Sequence, residues 1–400
     1  MSKFLCPYHF EEVDTRDICF RCINPDPSKC EREVDKELSE YWRMHVERKM
    51  PRVIKPEVPF YKSRVSRAKC PECGMVSPKM ICPVCHNELP HTVGEVKDYM
   101  FALIGAKQAG KSVYIATLIN ALAQQIGQRL NASLMALNEE TIARYRDEFY
   151  RPIFQNKEVV KATLSAATSD GLKHPLLYRF GIEEKGIFGN RNNKVATFAF
   201  FDTAGEDLNS IEIMRREIKY ISNAHGIIFL LDPLQISAVR DQLPHDTVLP
   251  HVHTEPAEIV TRVINLIRED RQMPEKDLID IPVALAFSKI DAILPIIRPD
   301  SRLNSASVHS DSFDIKDFEL IHSEMRSHLE SWIGPEFDTI VRHNFQTYGY
   351  FGLSALGAAP TGDGRLTEVV SPRRIEDPFL WLLWKKKLIK GRREKSKLGV

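Results

Sequence analysis

Apolar and polar positions along the chain follow two regimes that meet near residue 97. Before it, apolar residues are scattered among cysteines, prolines and charges. There only EREVDKELSEYWRMHVERKM carries a helical stripe, formed by Val34, Leu38, Tyr41 and His45. Pro51, Pro56 and Pro59 then fit an extended linker. Beyond residue 97, short apolar runs recur: DYMFALIG, PLLYRFGI, KVATFAFFD, HGIIFLLD, IPVALAFSKID and FQTYGYFGLSA. Helical stretches near 207–223, 255–270 and 314–333 separate most of them. Strands alternating with helices predict an α/β fold, a mostly parallel sheet covered by helices on both faces. The runs around 175–201 are joined by the polar EEKGIFGNRNN. They predict a hairpin with one antiparallel strand.

The first run leads into phosphate chemistry. DYMFALIGAKQAGKSVYIATLINAL reads as strand, loop and helix. The loop is Gly105-Ala106-Lys107-Gln108-Ala109-Gly110-Lys111-Ser112, a G-x4-G-K-S pattern continued by Val113. Backbone N–H groups of such a loop surround a β-phosphate. Its lysine reaches the β- and γ-phosphates, and its serine hydroxyl ligates Mg²⁺. A P-loop nucleotide site is therefore expected over 105–113, with Lys111 meeting the charge of the transferred phosphoryl group.

Composition narrows the partners. Lys and Arg number 55 against 54 Asp and Glu, a net charge of +1. No strong field marks nucleic acid or an anionic membrane as partner, and residues 1–100 are near neutral, which disfavours a phosphate-tracking surface. No apolar run approaches the roughly 18 residues a membrane span needs, and no secretory leader is visible. A cytoplasmic location is expected.

All eight cysteines lie between Cys6 and Cys85. In a reducing compartment, clustered cysteines at short spacing read as metal ligands. CPECGMVSPKMICPVCH pairs Cys70 with Cys73 and Cys82 with Cys85, and these four are expected to hold one structural zinc. CPYHFEEVDTRDICFRC reads as a second site from Cys6, His9, Cys19 and Cys22, with Cys30 able to replace His9. The expected division is a zinc knuckle over 1–30, a helix and linker over 31–66, and a zinc ribbon over 67–92. A nucleotide-binding domain over 97–390 and a basic tail over 391–400 follow.

Beyond the P-loop, FFDTAGEDL places Asp202 and Gly205 in D-x2-G, and SKID runs from Ser288 to Asp291. With the hairpin between them, order and spacing resemble TRAFAC-class P-loop GTPases across about 98–390. The zinc knuckles, DTAGED, FGLSALG and EDPFLWLL are similar to bacterial "double-GTPase" domain proteins, a family associated with conflict or stress-response operons. The resemblance implies a Mg²⁺-dependent switch hydrolysing GTP to GDP and phosphate, with a protein effector or co-encoded partner. It implies that Asp202 holds Mg²⁺ through water and that the Gly205 amide contacts the γ-phosphate. Asp291 would accept from two guanine N–H groups, a pair adenine lacks. Lys289 would lie along the base, and the Ser354 and Ala355 amides would face the guanine oxygen. Ser288 stands where Asn or Thr usually starts this motif; its hydroxyl can still tie the base loop to the P-loop. The switch I threonine, a further Mg²⁺ ligand, is Thr168 or Thr163.

Glu206 replaces the glutamine that orients the attacking water in most switch GTPases. A carboxylate there is repelled by the γ-phosphate. Phosphoryl transfer depends on positioning and charge neutralisation, so Gln108 can position water while Lys107 or a partner's cation offsets charge. The bland alternative is that both are exposed loop residues and hydrolysis is slow. Two rival functions are a scaffold that binds nucleotide without cleaving it, and a zinc-ribbon nucleic-acid adaptor. His245, His251 and His253 lack a regular spacing and read as solvated loop. The WLLW stretch after Pro378 reads as core packing.

Overall fold

The computed structural model describes residues 3–42, 49–160, 174–185, 191–200, 218–245, 247–250 and 254–393. From residue 97 onward the chain winds around a seven-stranded sheet. Its strands are β1 (Lys97–Ile104), β2 (Ala132–Ala136), β3 (Leu176–Lys185), β4 (Arg191–Phe200), β5 (Gly226–Leu231), β6 (Val283–Phe287) and β7 (Tyr348–Gly352). They lie in the order β2-β3-β4-β1-β5-β6-β7. From β4 to β7 all neighbours are parallel, while β3 runs antiparallel to both β2 and β4. The sheet is thus mostly parallel, with the hairpin that the apolar pattern predicts. Every residue of β5 and β6 is buried, as parallel strands covered on both faces must be.

Helices beyond residue 97 include α1 (Lys111–Ala121), α2 (Glu139–Arg144), α3 (Pro256–Arg271), α4 (Ile315–Ile333), α5 (Glu336–Asn344) and α6 (Asp377–Lys385). One sheet face packs against α1 and α6. Phe379 there sits 5.3 Å from the Phe198 ring and 5.7 Å from Phe101, and Trp381 is fully buried. Pro378 occupies the first turn of α6, where its missing N–H costs no helical bond. The WLLW stretch is therefore core. The opposite face is shared. Over β5–β7 it is covered by α3, α4 and α5, through residues such as Val260, Met325 and Val341.

At the β3–β4 end the same face is covered by the N-terminal lobe. Leu177 and Ala199 are register partners, and both join the lobe's core with Phe4, Tyr8, Phe20 and Met80. Successive strand residues point to opposite faces, so Leu176 and Tyr178 serve the α6 side while Leu177 serves the lobe. Burial on both sides explains why PLLYRFGI is apolar except at the half-buried Arg179.

Within the lobe, Val53–Ile54, Cys19–Arg21 and Met80–Ile81 form one antiparallel sheet. Segments expected as separate modules therefore share strands, and the expected linker supplies one of them. Among the described residues, the helix expected between the cysteine groups spans Lys36–Trp42. Val34 leaves the stripe because Glu33–Val34 pairs with Lys49–Met50; His45 lies outside the described residues. Among the described residues no helix is long and apolar enough to cross a membrane.

Candidate nucleotide site and metal centres

β1 lies where the strand order reverses, with β4 on one side and β5 on the other. In open α/β sheets ligands settle beyond the carboxyl ends of the strands at such a point. The 105–110 loop leaves β1 there and α1 begins at Lys111. Gly105 is obligatory, because a Cβ would stand 2.4 Å from the Leu230 carbonyl oxygen. Gly110 caps α1 in the left-handed region, φ 88°, which glycine adopts without strain. Gln108 is also left-handed, φ 63°. Lys111 is buried, and its Nζ donates to the carbonyls of Gly105 at 2.8 Å and Ala106 at 3.0 Å. These bonds hold the ammonium over the loop. Ser112 follows in the first turn of α1, while Lys107 and Gln108 are exposed.

The SKID segment leaves the carboxyl end of β6 beside this loop. Ser288 is buried, with its hydroxyl 3.1 Å from the Ala109 carbonyl oxygen and 3.2 Å from that of Leu231. Lys289 is left-handed, φ 54°, and its ammonium meets the fully buried Asp232 carboxylate at 2.5 Å. Asp232 ends the β5 run and also accepts from the Leu234 N–H at 3.0 Å. It was not singled out in the sequence; its signal was the aspartate closing HGIIFLLD. Asp291 lies in the first turn of the short helix Ile290–Ile293, and the Ile290 N–H donates to Leu353 O at 3.1 Å beyond β7. The Ser354 amide donates to Arg373 O at 3.0 Å, and the Ser354 hydroxyl accepts from the Gly357 N–H. The Ser354 N–H is thus engaged within the protein. Thr163, Thr168, Asp202, Gly205, Glu206, His251 and His253 lie outside the described residues.

The cysteines gather differently from their order in the chain. Cys6, His9, Cys82 and Cys85 form one group, and Cys22, Cys30, Cys70 and Cys73 the other. The expectation that Cys70, Cys73, Cys82 and Cys85 share one ion is thus corrected. So is the membership of Cys19, which is buried with its thiol toward Asp17 O. The reason is the lobe's sheet: Cys19–Arg21 pairs directly with Met80–Ile81, drawing Cys82 to the N-terminal knuckle. Both candidates for the open position lie in these groups, His9 in one and Cys30 in the other.

The spacing within each group fits zinc. Sulfur–sulfur separations are 3.8 Å for Cys6–Cys85, 3.6 Å for Cys22–Cys73, 3.7 Å for Cys22–Cys30 and 3.8 Å for Cys30–Cys70. Tetrahedral arms of about 2.3 Å give edges of about 3.8 Å, whereas a disulfide needs about 2.05 Å. His9 Nδ1 lies 3.7 Å from Cys82 Sγ, and its buried Nε2 has no hydrogen-bond partner among the described residues. Hydrogen bonds from Cys6 and Cys82 push the Cys85 thiol down to about 4, while burial pushes Cys6 up. In the other group the Met75 N–H leads in lowering Cys73 to about 6, and burial raises Cys30. Each group so offers a ready thiolate beside thiols that need a cation to ionise. A third set, Asp35, Glu37 and His86, is different: Asp35 is already paired with Arg21 at 2.6 Å and His86 at 2.8 Å.

No family model matches the chain. Among curated proteins it is similar to SaeC of Mycolicibacterium smegmatis, provisionally named for ESX-1 scaffolding and assembly. Identity is 27% over 314 residues, covering 76% of this chain and 78% of that protein. Among solved structures it aligns with the Arl6 BBS3 small GTPase of Trypanosoma brucei bound to GppNp. There identity is 11% and the TM-score 0.28, over 74% of this chain and 100% of that one. So loose a superposition carries no argument, and the reading of the site rests on the chain's own loop, strand order and bonds.

Proposed function

We propose that this protein is a guanine-nucleotide switch that binds GTP with Mg²⁺ and hydrolyses it slowly, steadied by a lobe holding two zinc ions. The observation that carries the reading is the bond between Ser288 and Ala109, which ties the base-recognition segment to the phosphate loop at the sheet's reversal point. Residues 105–113 cradle the phosphates, and Lys111 neutralises their charge. Asp291 reads the two guanine N–H groups, Lys289 flanks the base and the Ala355 amide faces its oxygen. Ser112, Asp202 and Thr168 or Thr163 would hold Mg²⁺, which when bound neutralises charge on the β- and γ-phosphates. Gln108 positions the water in place of the glutamine that Glu206 has displaced, with Lys107 or a partner's cation offsetting charge. Cys6, His9, Cys82 and Cys85 hold one zinc and Cys22, Cys30, Cys70 and Cys73 the other. Both are closed four-ligand sites of the structural kind. The similarity to double-GTPase proteins supports this assignment.

The name of the SaeC relative favours a second reading, a nucleotide-dependent scaffold in which binding matters and cleavage does not. In either case the partner is a protein. The test is displacement of a fluorescent guanine nucleotide by GTP and by ATP in the presence of Mg²⁺. GTP should displace it at concentrations at least about 100-fold below ATP, the discrimination of about 3 kcal/mol expected for a bidentate hydrogen-bonded pair. Equal displacement refutes guanine selection. Phosphate release over hours then separates the switch from the scaffold.

A further inference from the structure

Among the described residues, the phenylalanines, tyrosines and tryptophans are buried or half-buried with two exceptions, Phe60 at 89% exposure and Tyr61 at 71%. The two are neighbours, with ring centroids 5.5 Å apart and ring planes at 89°. The Lys62 N–H donates to Pro59 O at 2.9 Å, which closes a four-residue turn with both rings at its central positions. That turn is fastened to the N-terminal lobe on both sides. On the entering side Arg16 Nη2 donates to Val58 O at 3.2 Å, and on the leaving side the Thr15 hydroxyl donates to Ser63 O at 2.8 Å. The Arg64 guanidinium then meets the Glu95 carboxylate. Pro56 and Pro59 stiffen the approach by fixing φ. The near-neutral total charge conceals a local excess of cations. Along 55–69 the exposed charges are Lys55, Lys62, Arg67 and Lys69 against Glu57.

We propose that the Pro59–Lys62 turn is a membrane-surface anchor: Phe60 and Tyr61 enter the interface of an anionic bilayer, and the cations of the same segment meet its headgroups. Rings at the centre of an exposed turn have no walls around them. They suit a fluid surface that closes around whatever is inserted, and aromatic rings favour the headgroup boundary. Lys55, Lys62, Arg67 and Lys69 supply the charge complementary to anionic lipid. Because the turn is already fixed at Val58 and Ser63, insertion costs little further ordering. Single-stranded nucleic acid fits less well. Perpendicular rings do not offer the parallel faces on which successive bases stack, and Lys62 Nζ stands 5.9 Å from the centre of the Tyr61 ring. Two rings and a few cations make a shallow, reversible attachment of the interfacial kind. The inference is independent of the nucleotide reading, since none of these residues belongs to that site.

The test floats the full, zinc-loaded chain with vesicles of phosphatidylcholine alone and with vesicles of phosphatidylcholine and phosphatidylserine in equal parts. The wild-type chain should bind the anionic vesicles, bind the neutral ones at least about tenfold more weakly, and leave the anionic ones as salt rises. Phe60→Ser and Tyr61→Ser should each weaken binding about tenfold, the scale of one ring withdrawn from an apolar phase. Both variants should keep the wild-type zinc content and denaturation midpoint. Lys62→Gln should weaken binding about fivefold, the scale of one cation lost near an anionic surface. Phe60→Trp keeps an interfacial ring and should bind as the wild-type chain does. If the wild-type chain floats with neither vesicle, the inference is overturned. Equal affinity for the two vesicles overturns it as well, and so does wild-type affinity in both serine variants. Dimerisation or RNA binding that Phe60→Ser abolishes, with vesicle binding untouched, assigns the turn to another partner and equally overturns it.

Discussion

The Ser288 hydroxyl lies 3.1 Å from the Ala109 carbonyl oxygen, so the loop after β6 is fastened to the loop after β1 by a buried side chain. Ser288→Ala removes the hydroxyl donor to Ala109, while the backbone N–H of residue 288 still serves Leu231 O at 2.8 Å. Stability should fall by about 1–2 kcal/mol, the cost of a buried hydrogen bond whose acceptor, the Ala109 carbonyl, loses its donor. Guanine-nucleotide affinity should fall several-fold as the two loops lose register. Chemical denaturation and nucleotide titration of one preparation give both numbers; wild-type affinity in the variant removes Ser288 from the site.

The interleaving of the two metal groups has a sharp stoichiometric consequence. The intact chain should carry two zinc ions. Cys82→Ser and Cys70→Ser should each lose one ion, and Cys19→Ser should keep both. Because each site draws ligands from both 1–30 and 67–92, neither segment alone completes a site. Chelation should therefore unfold the whole lobe cooperatively, since structural zinc binding is coupled to folding. Elemental analysis of the four proteins decides, and an ion missing from Cys19→Ser contradicts the grouping.

That grouping marks the limit of what the sequence discloses. C-x2-C spacing reports which two ligands share a knuckle, because the knuckle is local. Which knuckles meet is decided by strand pairing between Cys19–Arg21 and Met80–Ile81, residues far apart in the chain. The strands of the sheet's interior were legible because burial on both faces demands unbroken apolar runs. Edge strand β2 was not: its residues alternate between half-buried and exposed and include Met135, so no run or clear alternation shows. The loop at 105–112 was legible because its backbone demands glycine at fixed places. Asp232 was not, since one aspartate after a strand has no signature until Lys289 is seen against it.

The assignment of Gln108 to the water is tested by Gln108→Ala and Lys107→Ala. Both side chains are exposed in the P-loop, so neither change should disturb folding. Single-turnover hydrolysis should slow on the order of 10-fold or more in Gln108→Ala, with GTP affinity kept, since only transition-state interactions are removed. Unchanged rates in both variants reassign the step to a partner protein.

Two histidines give stability opposite slopes with pH. Burial, with Lys386 adding, pushes His225 down to about 4, while its Nδ1 accepts from the Met100 N–H. The unfolded chain takes up this proton first, near 6.5, so the fold loses stability as pH falls from about 6.5 toward 4, by up to about 3 kcal/mol. For His309 burial pulls downward, but the Asp377 and Glu376 carboxylates outweigh it and hold the imidazole above its ordinary value. Its contribution is present below about pH 6.5 and is lost as pH rises through the raised value. Relative to wild type, His225→Gln should flatten the acid limb and His309→Gln the neutral limb in denaturation curves at fixed zinc. Parallel curves across pH 4–8 contradict both assignments.

Everything functional depends on Lys111 and its loop enclosing the phosphates of a Mg²⁺-bound guanine nucleotide. Calorimetric titration of the zinc-loaded protein with a non-hydrolysable GTP analogue and Mg²⁺ tests this most directly, run beside Lys111→Ala. One nucleotide should bind per chain, and affinity should fall about 100-fold or more in the variant, the scale of a lost charge-assisted bond pair. Absence of binding heat in the wild-type protein, or equal binding by both, would contradict it.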